Sequence, residues 1–253
     1  MSAIFHPEIL RFDSIDSTNL EAMRQAKSGA REGLCIVARE QTRGRGRLDR
    51  SWLSPKDAGL YLSILLRPKF ELNAWPLITL MTALAVSDAL MKACDLRADI
   101  KWPNDICSGE KKLCGILAET VETDHGPAAI IGVGINLNAG GLPEALSEKA
   151  TSVESAIGHR VDRDRILAEL LAALADRYEL LHSPDGREHT IREWCANSSY
   201  AIGRQVRVSM NDETFEGATR GLESDGALRV ETETGIRIVR AGDVVALRAA
   251  ELK

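Results

Sequence analysis

KLCGILAETVETDHGPAAIIGVGINLN, from Lys112 to Asn138, contains two apolar runs, Leu113 to Val121 and Ala129 to Leu137, separated by the polar turn Glu122 to Pro127. Two such runs around a turn predict a β-hairpin. In the second run Gly132 and Gly134 alternate, which leaves one strand face bare, and Asn136 and Asn138 follow. A bare face admits a flat ligand such as a base or a ribose; close packing of a helix is the other reading. Gly115 lies inside the first run, a position that marks close approach of a ligand or of another backbone.

Working outward, Asp99 to Trp102 reads as a strand that Pro103 ends, since proline removes a ladder donor. Ala74 to Cys94 has helical apolar spacing, and Leu60 to Leu66 and Leu34 to Ala38 read as strands. Thr18 to Glu21 fits a capping box that opens a helix ending at Gly29. Downstream, Arg163 to Leu181 places Ile166, Leu170, Leu174, Tyr178 and Leu181 on one side of a helix. Ile191 to Cys195 lies on another. After Asn197 the texture changes. Val206–Val208, Thr214–Phe215, Ala227–Val230, Ile236–Val239 and Val244–Leu247 are short strand-like runs between turns, the pattern of a small barrel. The expected architecture is α+β, a mixed sheet flanked by helices over residues 1–197, followed by a small β-barrel over 198–253.

Composition narrows the function classes. The 253 residues are 44% hydrophobic, enough for a sizeable core, and the net charge is −5. Nucleic-acid binders present a basic footprint, and RNA modules stack bases on aromatic side chains; aromatics are 4% here, so neither class fits. Five cysteines, an odd number without CxxC spacing, read as reduced thiols in a cytoplasmic protein, and no metal-ligand cluster stands out. Met1 to Leu10 lacks the pattern of a signal peptide. The apolar stretch Trp75 to Leu90 is broken by Pro76, Thr79, Thr82, Ser87 and Asp88, which reads as a buried helix and not a membrane span.

Four arginines and two glycines crowd Arg43-Gly44-Arg45-Gly46-Arg47-Leu48-Asp49-Arg50, a few residues before Trp52. The guanidinium groups would repel one another unless something anionic sat among them, and their forks grip carboxylate and phosphate bidentately. Taken alone, the segment also reads as a solvated surface loop. Lys101-Trp102-Pro103-Asn104-Asp105 presents a cation and short polar groups at a strand end, although an ordinary Asn-Asp turn has the same composition. Lys112 precedes the glycine-bearing strand.

The set GRGR…W, KWPND, KLxGILxE and GxGINxN, in this order, resembles biotin–protein ligases, the biotin–[acetyl-CoA-carboxylase] ligases. Asp16-Ser17-Thr18-Asn19 looks like the family's early substrate motif, and the C-terminal turns look like its SH3-like domain. The resemblance implies a class II synthetase-like catalytic domain that joins biotin and ATP, with Mg²⁺, into biotinyl-5′-AMP. Biotin then passes to a lysine of a biotin carboxyl carrier protein of acetyl-CoA carboxylase or a related carboxylase. By motif, Ser17, Thr18, Asn19, Gln41, Arg45, Gly46, Arg47, Lys112 and Gly115 contact biotin. Arg47, Trp52, Lys101, Asn104, Asp105, Lys112 and Asn136 contact the nucleotide, with Arg47, Lys101 and Lys112 catalytic. Asp49 departs from the family's glycine; Asp tolerates positive φ, but its charge sits beside an anion site. The Ser-Thr-Asn segment begins at Ser17, which implies no N-terminal winged helix and no DNA partner. Relatives pair as homodimers through the central sheet. A lipoate or octanoate ligase on the same scaffold is the nearest alternative.

Overall fold

A computed structural model describes residues 7–210 and 213–247. Part of the stretch inspected for a leader, Met1 to His6, and the last six residues of the C-terminal segment lie outside it. The strands are β1 Glu8–Phe12, β2 Leu34–Ala38, β3 Gly59–Leu66, β4 Asp99–Lys101, β5 Asp105–Ser108, β6 Lys111–Val121 and β7 Ala128–Asn136. They form one mixed sheet in the order β1-β2-β3-β7-β6-β5-β4, with only β1 and β2 parallel. The helices are α1 Thr18–Lys27, α2 Pro76–Cys94, α3 Val153–Ile157, α4 Arg163–Leu181 and α5 Gly186–Ala196. Beyond them β8 Ile202–Met210, β9 Glu213–Leu222, β10 Leu228–Thr232, β11 Gly235–Val239 and β12 Asp243–Ala246 build an antiparallel sheet, the SH3-like C-terminal domain.

The period-2 alternation of strands decides what faces what. On β7, Ile131, Val133 and Ile135 join Leu60, Leu62 and Ile64 of β3 in the main core beneath α2 and α4. α2 has the length and hydropathy of a membrane span, but it is the central core helix, with Leu77, Ile78, Ala85, Val86 and Leu90 wholly buried. Ile130 on the opposite face packs with Leu65, Val121, Ala22 and Ala26 under α1. α1 covers only that end. The rest of the face belongs to Gly132, Gly134, Gly115 and polar side chains, and there the cavity opens.

The core also runs into the second sheet. Trp102 donates its indole N–H to the Gly226 carbonyl at 3.0 Å, and Ser198 Oγ reaches the Ile100 carbonyl at 2.5 Å. The SH3-like domain is therefore docked against the β4 edge and is not tethered loosely.

β1 and β5 were not expected from sequence. Asp105 begins a strand where a simple turn was an alternative, and its register with β6 pairs Asp105 with Gly115. The capping box is also displaced. Ser17 is the N-cap residue by backbone geometry, without a side-chain cap bond. Thr18 is already helical, and Glu21 is engaged by Gln25 and Arg24, both at 2.7 Å.

Candidate active site

A cavity of about 420 Å³ lies over the glycine face, within the size range of small-ligand sites. Three structures enclose it: the first turn of α1, the arginine loop between Gln41 and Ser54, and the start of β6 with the segment that follows β7. Leu62, Ile116, Leu117, Val133, Leu142 and Leu146 supply apolar wall, and the charged groups gather at the loop side.

At the α1 end the polar groups form a closed chain. Gln41 Oε1 accepts from the Thr18 backbone N–H at 2.8 Å and from the Thr18 hydroxyl at 3.0 Å. Ser63 Oγ, wholly buried on β3, lies 2.8 Å from Thr18 Oγ1 and 2.5 Å from Asn19 Oδ1. Asn19 Nδ2 donates to Glu119 at 2.8 Å and to the Leu117 carbonyl at 3.3 Å. Glu119 pairs with Arg45 at 3.0 Å. Buried polar groups this well satisfied have fixed orientations, so this end presents set donors and acceptors.

The loop is a narrow hairpin. Trp52 N–H donates to the Gly44 carbonyl at 2.9 Å and Gly46 N–H to the Arg50 carbonyl at 2.7 Å. Gly44 is required, since a Cβ there would stand 2.2 Å from the Trp52 carbonyl oxygen. The tip turns through left-handed backbone at both Leu48 (φ 52) and Asp49 (φ 57). Asp49 thus adopts the positive φ anticipated for it, and Leu48 does as well.

Trp52 occupies the bare face. A Cβ on Gly134 would lie 2.4 Å from the indole Nε1, and one on Gly115 would lie 3.0 Å from its ring. The indole N–H is buried and has no hydrogen-bond partner among the described residues. Gly132 receives Asn19, whose Oδ1 would be 2.2 Å from an added Cβ. Of the two readings of the glycine strand, flat ligand or packed helix, the helix takes Gly132 and a side chain of the loop takes Gly134.

Four cations of the arginine loop and β6 line the same cavity. Lys112 pairs with Asp105 at 2.6 Å and lies 5.3 Å from the Trp52 ring. Arg47 donates to Asn104 Oδ1 at 3.2 Å and to the Gly242 carbonyl at 3.4 Å. Burial lowers the Arg47 pKa from its ordinary value, opposed by the charges of Asp243 and Asp105. Arg45 and Arg50 complete the set, and Arg50 is paired with Asp243. Asn136 lines the cavity while its amide donates to the Thr151 carbonyl at 3.0 Å.

Thirteen of the fourteen residues named from sequence line this one cavity; Lys101 does not. Its ammonium lies 5.8 Å from the Tyr200 ring, toward the junction with the second sheet. Sequence reading passed over Ser63, Leu142, Leu146, Lys149, Arg50 and Asp243 as site residues and gave Glu119 no role. The KLxGILxE spacing was a usable signal for Glu119, because it puts Gly115 and Glu119 on one strand face. No group of three or more His, Cys, Asp or Glu side chains placed to hold a metal occurs among the described residues.

A cation-lined cavity on an α+β sheet, bordered by an arginine loop and by Asp243 of the SH3-like domain, fits the class of two-domain ligases that activate a carboxylate. The biotin/lipoate A/B protein ligase family model matches residues 11–136 and the biotin protein ligase C-terminal domain model matches 201–246. The chain belongs to this family, among its biotin–protein ligases. It is 36% identical to the bifunctional ligase/repressor BirA of Bacillus spizizenii over 92% of this chain and 72% of that one. It is 33% identical to the biotin–[acetyl-CoA-carboxylase] ligase of Mycobacterium tuberculosis, over 92% of this chain and 86% of that one. A solved biotin protein ligase from Aquifex aeolicus, in complex with biotin and ATP, superposes with a TM-score of 0.83 at 30% identity, covering 96% of this chain and 99% of that chain.

Proposed function

We propose that this protein activates biotin with ATP and transfers it to one lysine of a biotin carboxyl carrier protein of acetyl-CoA carboxylase or a related carboxylase. The observation that carries the reading is the cavity itself: a fixed polar end at Thr18, Asn19 and Gln41, to which Arg45 is tied through Glu119, an apolar wall, and the cations Arg47 and Lys112 beside Asn104 and Asp105. That is the complement of a ring with hydrogen-bonding edges, a short alkyl chain and a carboxylate.

In the first step a carboxylate oxygen of biotin attacks the α-phosphorus, the bond to the β-phosphate oxygen breaks, and pyrophosphate leaves. Two anions must approach, and Lys112 and Arg47 remove their repulsion; one preorganised donor of this kind contributes about 10²–10³ in rate. In the second step the neutral carrier amine attacks the carbonyl carbon, the bond to the phosphate oxygen breaks, AMP leaves and a proton passes to solvent. Mg²⁺ would enter on the triphosphate, and the oxygen donors of Asp105, Asn104 and Asn136 are the cavity groups chemically suited to it. Lys101 stands away from these contacts, so the phosphate role rests on Arg47 and Lys112.

The reading includes a cytoplasmic location, supported by five thiols without a disulfide among the described residues, and a homodimer through the central sheet, whose β1 is an edge strand. The net charge of −5 supports a reading without a DNA partner. Mass spectrometry of a carrier domain incubated with the protein, biotin and Mg-ATP tests the whole. A single biotinyl addition with pyrophosphate release is expected. Activation of lipoate in place of biotin would establish the alternative.

A further inference from the structure

The turn between β11 and β12 belongs to the SH3-like domain, yet it reaches the arginine loop of the catalytic domain. Asp243 lines the cavity and grips Arg50 with both carboxylate oxygens, the longer contact at 3.3 Å. The neighbouring Gly242 carbonyl receives the Arg47 guanidinium at 3.4 and 3.5 Å. We propose that Asp243 is a positioning residue that latches the arginine loop over the cavity and so retains the acyl-adenylate between the two half-reactions. This rests on the adenylate-forming reading above.

The two sides of the latch differ in rigidity. Asp243 pairs with Ser209 across β12 and β8, and Gly242 is packed so closely that a Cβ would stand 2.8 Å from the Ser209 carbonyl. That sheet is anchored in turn through Gly226 on Trp102 and Ser198 on Ile100. The carboxylate is therefore a fixed post. The loop is held to itself as a two-stranded hairpin up to the Arg47–Arg50 turn, and beyond it Leu48 at the tip is 68% exposed. The Arg50 and Asp243 side chains are 64% and 36% exposed. A pair that open is weak and sensitive to salt. Such strength suits a latch that must open once per turnover to admit biotin and ATP and then the carrier lysine. An acyl-adenylate is a mixed anhydride that water hydrolyses, so a loop that opens too readily wastes ATP.

The test follows release of preformed biotinyl-5′-AMP from the full chain after rapid dilution, with hydrolysed biotin and AMP measured in parallel. Asp243→Ala and Arg50→Ala are each expected to release it about fivefold faster, the scale of one exposed ion pair. Wild-type release should quicken between low and high salt, whereas release from either variant should stay flat. The charge-swapped double variant, Arg50→Asp with Asp243→Arg, should restore slow, salt-sensitive release. A merely structural Asp243 would lower the melting temperature without moving the salt dependence, and the swap would not rescue it. Equal release from wild type and both single variants overturns the latch while leaving the ligase reading intact. Absence of any adenylate in wild type overturns the ligase reading itself.

Discussion

Gly132→Ala is the perturbation whose cost can be worked most directly from the structure. The new methyl would stand 2.2 Å from Asn19 Oδ1, 2.9 Å from its Cγ and 3.2 Å from its Nδ2. Relief takes more than an ångström of movement. Gly132 is held in mid-ladder between β3 and β6, so Asn19 has to move. Asn19 is 3% exposed and makes contacts to Ser63 at 2.5 Å, Glu119 at 2.8 Å and the Leu117 carbonyl at 3.3 Å. Losing three partly buried hydrogen bonds at about 1 kcal/mol each gives a destabilisation of about 2–4 kcal/mol. For a chain of this size that is a fall in melting temperature of about 6–12 °C. Gly134→Ala is the companion. Its methyl would strike Trp52, which is carried by the loop and can swing outward, so stability should change by less than about 1 kcal/mol while biotin binding is lost. Urea unfolding of both variants, with Gly132→Ala repeated in an Asn19→Ala background, measures the coupling. Wild-type stability of Gly132→Ala, or the same cost in both backgrounds, would show that Asn19 is not what the glycine accommodates.

Lys112→Ala should abolish the biotinyl mass addition to a carrier, a loss of at least about 10² in rate; Lys101→Ala should leave the ATP dependence within about twofold, as for a half-buried charge that does not line the cavity. Arg24 holds the Asp16 carboxyl at about 2, below its ordinary 3.8. A depressed native pKa adds stability above the unfolded value that is lost as pH falls, so urea midpoints of wild type and Arg24→Ala should converge between pH 4 and 2, and high salt should shrink their difference. Burial pushes the Cys107 thiol up to about 11 and the Cys114 and Cys35 thiols upward as well. Iodoacetamide at neutral pH should therefore spare all three in the native protein and modify them in urea, as read by intact mass.

What was legible in sequence was local. The β6–β7 hairpin, the Arg163–Leu181 helix and the five C-terminal strands each carry their own period and turn signals, and each stands where the pattern put it. β1 and β5 are assigned by partners instead. The residues of β1 read as half-exposed edge, and its pairing with β2 spans more than twenty residues. β5 is four residues long after a proline turn, and its pairing with β4 and β6 makes it a strand. The site divides the same way. Motif residues were found because spacing along one strand or loop sets their face. Asp243 was not, because it meets Arg50 across 193 residues through the docking of two sheets. Lys101 was drawn from a strand-end argument that is sound for β4, but the strand end carries its ammonium toward Tyr200 and away from the cavity lining.

The arginine crowding that first suggested an anion is answered within the chain itself. Arg45 has Glu119, Arg50 has Asp243 and Lys112 has Asp105. For Lys112 and Arg45, binding a carboxylate or a phosphate is therefore an exchange of partners, while Arg50 keeps Asp243 on the closed loop, and what a displaced carboxylate does next decides the energetics. Lys112 and Asp105 are 33% and 20% exposed and 2.6 Å apart, so the pair resists exchange by about 1 kcal/mol, roughly fivefold in affinity. Asp105→Asn removes that resistance and should tighten biotin alone by up to about fivefold. Mg-ATP should respond in the opposite direction, because the metal it carries loses the Asp105 carboxylate, which outweighs what its phosphates gain from the freed lysine. Isothermal titration of the two ligands separately reads both signs. Parallel weakening of biotin and Mg-ATP by Asp105→Asn would mean that the carboxylate shapes the cavity and does not compete for Lys112.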